Sequence, residues 1–100
     1  MLIARQEFRA KYGRGNELVT LFQELNSRRR EDDAAASHFR ILTDVTGPFF
    51  TVVTEFEVET LAAWEGAFRE SMAGPWVGEW FSRMVPLVES GSREFYTIVE

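Results

Sequence analysis

Hydrophobic and polar residues alternate over several stretches of the chain. At its start Leu2, Ala4, Gln6 and Phe8 interleave with Ile3, Arg5, Glu7 and Arg9. Strand side chains point to opposite faces in turn, so this predicts a first strand with one inward and one charged side. Between His38 and Val58 two more alternating arms flank Val45-Thr46-Gly47-Pro48, which predicts a β-hairpin. Phe39 and Ile41 of the first arm share an apolar face with Phe50, Val52, Phe56 and Val58 of the second. The reverse face carries His38, Arg40, Leu42 and Asp44, then Phe49, Thr51, Val53, Glu55 and Glu57. Residues Ser92 to Val99 alternate again as a last strand.

Helical spacing fills the gaps. Leu18, Leu21, Phe22 and Leu25 make one stripe after the turn Lys11-Tyr12-Gly13-Arg14-Gly15, with Asn16 as the expected N-cap. Arg28, Arg29 and Arg30 fall in its last turns, where cations suit the carbonyl end of the dipole. The polar, Ala-rich stretch from Glu31 to Ser37 extends that helix or begins a loop. Thr60 can cap a second helix with Leu61, Trp64 and Phe68 inward. Gly74-Pro75 ends it and opens a third, whose Trp76, Val77, Trp80, Phe81, Met84 and Val88 cover a wide apolar arc. Pro86 is expected to kink or end this helix, and Gly91 to stop the segment.

The order strand, helix, strand, strand, helix, helix, strand predicts an α+β chain: a ferredoxin-like βαββαβ fold with an extra helix before the last strand. Its sheet has four antiparallel strands with helices on one side. The other side would show Ile3, Arg5, Glu7, His38, Arg40, Leu42, Phe49, Val53, Glu55, Tyr96 and Ile98. That is too apolar for a purely solvated face, and a two-fold partner packing its own bare face is the simplest cover.

Composition narrows the classes. The 100 residues suit one domain. No cysteine is present, which removes disulfides, thiolate metal sites and cysteine nucleophiles. A cysteine-free chain with no charged-then-apolar leader fits a cytoplasmic protein, and no apolar run is long enough for a membrane span. The formal charge of −5 opposes nucleic acid, since the one basic cluster, Arg28-Arg29-Arg30, is followed at once by Glu31-Asp32-Asp33. Nine Phe, three Trp and two Tyr are a rich supply for a core or a pocket.

Candidate chemistry follows from these placements. His38 is the single histidine, and two registers of the hairpin put Glu55 opposite either His38 or Arg40. A His–Glu pair could transfer protons; the bland alternative is a salt bridge at a subunit seam. One imidazole and one carboxylate fall short of the usual three or four ligands of a metal site, though a dimer could double them. Arg5, Glu7, Arg40 and Glu55 read as an anion clamp or as ion pairs that set a dimer's register. Trp64, Phe68, Trp76, Trp80, Phe81 and Met84 read as a pocket for a flat aromatic ligand, as core, or as a dimer contact. With one histidine, no nucleophilic triad is suggested.

Three segments carry a resemblance. They are Leu2–Phe8 followed by Gly13-Arg14-Gly15-Asn16-Glu17-Leu18, Arg40-Ile41-Leu42-Thr43-Asp44 leading through Gly47 to Phe50-Thr51-Val52-Val53-Thr54-Glu55-Phe56, and Glu89-Ser90-Gly91-Ser92-Arg93-Glu94-Phe95-Tyr96. Through them nearly the whole chain resembles the dimeric α+β barrel superfamily, and within it the NIPSNAP-like proteins. The resemblance implies a homodimer whose two sheets form a barrel, with a cavity between sheet and helices. It also implies a small-molecule-binding domain with no bound cofactor, or a cofactor-independent monooxygenase acting on a quinol-like or polycyclic aromatic substrate near His38 or Trp64. Haem-degrading relatives use a histidine on a helix with nearby Asn and Trp, a set that cannot be matched here residue by residue.

Overall fold

A computed structural model describes residues 1–32 and 39–100. Strands β1 (Leu2–Ala10), β2 (Arg40–Thr43), β3 (Thr51–Val58) and β4 (Val88–Thr97) alternate with helices α1 (Gly15–Asp32), α2 (Leu61–Met72) and α3 (Val77–Met84). The sheet order is β2-β3-β1-β4, with all neighbours antiparallel. This is the ferredoxin-like α+β arrangement, with α3 as the added helix. Placing β1 between β3 and β4 lets each crossover helix lie over the same sheet face.

The core forms where that face meets the helices. Leu18, Leu21 and Phe22 of α1 and Trp80 of α3 pack with Ala10, Phe39, Val52 and Leu87. Phe22 is the centre of the aromatic packing, with ring centroids 5.0 Å from Phe8, 5.9 Å from Phe39 and 5.5 Å from Trp80. Such offset and edge-on contacts add to simple area burial. Asn26 ties α1 to the entry of β2: its side chain accepts from Phe39 N–H at 3.2 Å and donates to Phe39 C=O at 3.0 Å.

Thr60 caps α2 as expected, its hydroxyl accepting from Ala63 N–H at 3.0 Å. Four local expectations are corrected. Helix α1 begins at Gly15, so Asn16 lies inside it and its carbonyl accepts from the Thr20 hydroxyl. Phe49 and Phe50 precede β3 rather than belonging to it; Phe50 has φ 58°, lies edge-on to Tyr12 at 5.0 Å, and packs over Gly15. Helix α3 starts at Val77, after Pro75, and ends at Met84, where a 3-10 turn over Val85–Leu87 takes up Pro86. Val88 consequently opens β4. Gly91 is inside that strand rather than a stop: a Cβ there would meet Glu7 C=O at 3.2 Å and Phe8 Cδ1 at 3.4 Å. Glycine suits this place because a side chain would crowd β1, whose backbone would have to give by a few tenths of an ångström.

Candidate functional site

Between the sheet and the helices lies a cavity of about 380 Å³. Helical spacing brings Trp64, Phe68 and Met72 of α2 to it, and Trp80, Phe81 and Met84 of α3. Phe22 and Leu25 of α1 and Phe8 and Phe56 of the sheet complete the apolar wall. Trp64 stacks on Phe68 at 5.0 Å and meets Phe95 edge-on at 5.2 Å. The Trp80 indole N–H donates to Leu21 C=O at 2.8 Å, which holds the ring against α1 and satisfies its one polar atom. Of the six aromatic and methionine residues singled out from sequence, Trp76 does not line the cavity. It stands at the N-cap of α3, where the Arg28 guanidinium lies 5.3 Å from its ring.

The polar lining is small: Gln6, Arg29, Ser71 and Arg93. Gln6 and Arg93 are register partners on β1 and β4. Arg93 donates from Nε (3.2 Å) and Nη2 (3.0 Å) to Gln6 Oε1, while its guanidinium lies over Trp64 at 4.5 Å and Phe68 at 5.2 Å. Arg29 is half-buried, 6.0 Å from the Phe39 ring, and burial lowers its guanidinium pKa from the ordinary value. Gln6, Arg29 and Arg93 are not among the candidate site residues predicted from the sequence, although each leaves a signal there. Gln6 is the polar break in the inward series Leu2, Ala4, Phe8; Arg93 faces it; Arg29 follows Leu25 by four positions and so continues the α1 stripe.

The opposite sheet face carries a charge network. Arg5 lies at its centre, 3.2 Å from Glu7, 3.4 Å from Glu55 and 3.5 Å from Glu94. Arg40 pairs with Glu55, and the two are register partners. The hairpin therefore takes the register that opposes Glu55 to Arg40, not to His38; His38 itself lies outside the described residues. Glu94, not singled out from sequence, also accepts from the Tyr96 hydroxyl at 2.7 Å, and that bond raises the Tyr96 pKa above its ordinary value. Around the network Leu42 and Tyr96 are 40% and 49% exposed, whereas Val53 is buried. Among the described residues no three His, Cys, Asp or Glu side chains gather as metal ligands. No described helix is long and apolar enough to cross a membrane.

Comparison with known proteins places this fold. Neither a scan of family models nor a search of curated proteins found a match. Solved structures do match along almost the whole chain. An uncharacterised NIPSNAP domain protein from Burkholderia xenovorans superposes with a TM-score of 0.81 at 18% identity, covering 99% of this chain and 95% of that one. A NIPSNAP family protein from Agrobacterium tumefaciens gives 0.82 at 13% identity, covering 96% and 90%. A structure described as an antibiotic biosynthesis monooxygenase gives 0.71 at 16% identity, covering 100% of both chains. The chain thus has the NIPSNAP and antibiotic-monooxygenase fold, a ferredoxin-like α+β unit.

Proposed function

We propose that this protein is a homodimeric, NIPSNAP-like small-molecule-binding domain, with its site in the cavity beneath Trp64 and Trp80. The observation that carries the reading is the cavity itself: about 380 Å³, walled by aromatic rings, with few polar groups. Ligand sites are typically concave, apolar and supplied with a few orienting polar atoms. An apolar or aromatic molecule is the ligand class that such a wall favours. The bare sheet face, with Leu42 and Tyr96 around Arg5, Glu7, Arg40 and Glu55, supports its role as the dimer seam, the charges fixing register.

Native mass spectrometry of the purified protein tests both parts. The expected spectrum is a dimer, with ligand adducts that dissociate on collisional activation. A monomer at micromolar concentration, checked by light scattering, would defeat the seam.

A second reading is a cofactor-independent monooxygenase acting on a quinol-like or polycyclic aromatic substrate, favoured by the full-length likeness to the antibiotic biosynthesis monooxygenase structure. Against it, the lining has no carboxylate, phenol or imidazole to take a substrate proton among the described residues. His38→Ala separates the possibilities. Loss of quinol-dependent oxygen uptake with the dimer intact supports oxidation; unchanged uptake removes His38 from it.

A further inference from the structure

The arginines of this protein differ in their partners. Arg5, Arg14, Arg28, Arg40, Arg69 and Arg83 each lie within 4.0 Å of a carboxylate. That is the expected arrangement in a chain with a formal charge of −5, where acidic partners are plentiful. Arg9, Arg29 and Arg93 have no ion pair among the described residues, and of these Arg29 and Arg93 line the cavity. No Asp or Glu lines it with them among the described residues. Arg93 is held by a neutral acceptor, Gln6, and by the faces of Trp64 and Phe68. Arg29 has the Phe39 ring as its neighbour, and its half-burial removes part of its hydration.

Both guanidinium groups thus lie against aromatic rings without a carboxylate partner among the described residues. Gln6 fixes Arg93 without neutralising it, and leaves other N–H donors of that side chain free for an incoming oxygen. Arg29 is half-buried and Arg93 exposed, and each offers an anionic oxygen charge-assisted hydrogen bonds, which are stronger than neutral ones and directional in the guanidinium fork. We infer that the cavity selects a ligand with an apolar, aromatic-sized body and an anionic oxygen group, a carboxylate or an ionised enol or phenol, which Arg29 and Arg93 hold. The inference rests on the reading of the cavity as a binding site.

The test uses a pair of near-isosteric probes, anionic naphthalene carboxylate and neutral naphthalene carboxamide, the second with an amide NH2 in place of one carboxylate oxygen. Each is titrated into the whole protein while tryptophan fluorescence is followed, with calorimetry as a check. The carboxylate is expected to bind about tenfold or more tightly than the carboxamide, the gain of a hydrogen bond to a charged group. The double variant Arg29→Met with Arg93→Met should abolish that preference, and Arg29→Lys with Arg93→Lys should keep part of it. Equal affinity of wild-type protein for both probes would overturn the anion inference while leaving the cavity as a site, and needs no variant to fold. A preference unchanged in the methionine variant would also overturn it. Binding of neither probe at millimolar concentration would overturn the cavity reading and the inference together.

Discussion

Trp80→Phe is the sharpest probe of how the cavity wall is built. The indole is 4% exposed, tilted against Phe22 at 5.5 Å and edge-on to Phe81 at 5.3 Å, and its N–H reaches Leu21 C=O at 2.8 Å. Phenylalanine keeps the ring contacts with Phe22 but loses the hydrogen bond, which contributes about 1 kcal/mol. Leu21 lies within α1, so its carbonyl retains a helical partner and no orphaned acceptor adds to the loss. Two ring carbons also leave the core, at roughly 0.8 kcal/mol each. The expected destabilisation is therefore about 2.5 kcal/mol, or on the order of 10–20 °C in Tm for a domain of this size. Urea unfolding followed by circular dichroism measures it, with the protomer concentration held constant because dimerisation shifts the midpoint. A loss under about 0.5 kcal/mol, as for an inert surface change, would refute the anchoring role of the indole N–H and its ring.

Two further outcomes are expected. Thr60→Ala removes the α2 cap and should cost about 1 kcal/mol in the same unfolding assay, with Thr60→Ser recovering most of it. In a Tyr12→Phe background, the Tyr96 phenolate should appear at higher pH than in a free tyrosine, chiefly because the phenol donates to Glu94; Glu94→Gln should bring it back down. The folded pKa is the raised one, so what this bond adds to stability is present below the ordinary tyrosine pKa. It is lost as pH rises through the folded value. Absorbance titration reads both the shift and its reversal, and an unshifted Tyr96 would remove the hydrogen bond from the account.

The inward residues were legible because their spacing is a property of the local backbone. Period-two alternation in β1, and the stripe Leu18, Leu21, Phe22, Leu25, identify the inward side of each element without knowledge of its neighbours, whereas in β3 the sheet also buries Val53 of the opposite face. Thr60 was legible for the same reason, since a cap is satisfied within its own helix turn. The end of α3 was half legible. Proline breaks a helix anywhere, but whether the chain then turns or enters a strand depends on an edge of β1 being open to it. Gly91 was misread because a glycine that stops a helix and a glycine that admits a neighbouring backbone look alike in one dimension.

The sequence alone thus determined the elements, their inward faces and the α+β order, because these follow from spacing and chain connectivity. Tertiary structure decided the pairings. The choice of Arg40 rather than His38 opposite Glu55 is a matter of strand register, which a shift of a few residues in the hairpin loop would change. The cavity lining was decided the same way: Gln6 and Arg93 stand 87 positions apart and meet through the β1–β4 ladder, and Arg29 joins them by the docking of α1 on the sheet. Trp76, at the N-cap of α3, is outside that lining, and the Arg28 guanidinium lies 5.3 Å from its ring instead.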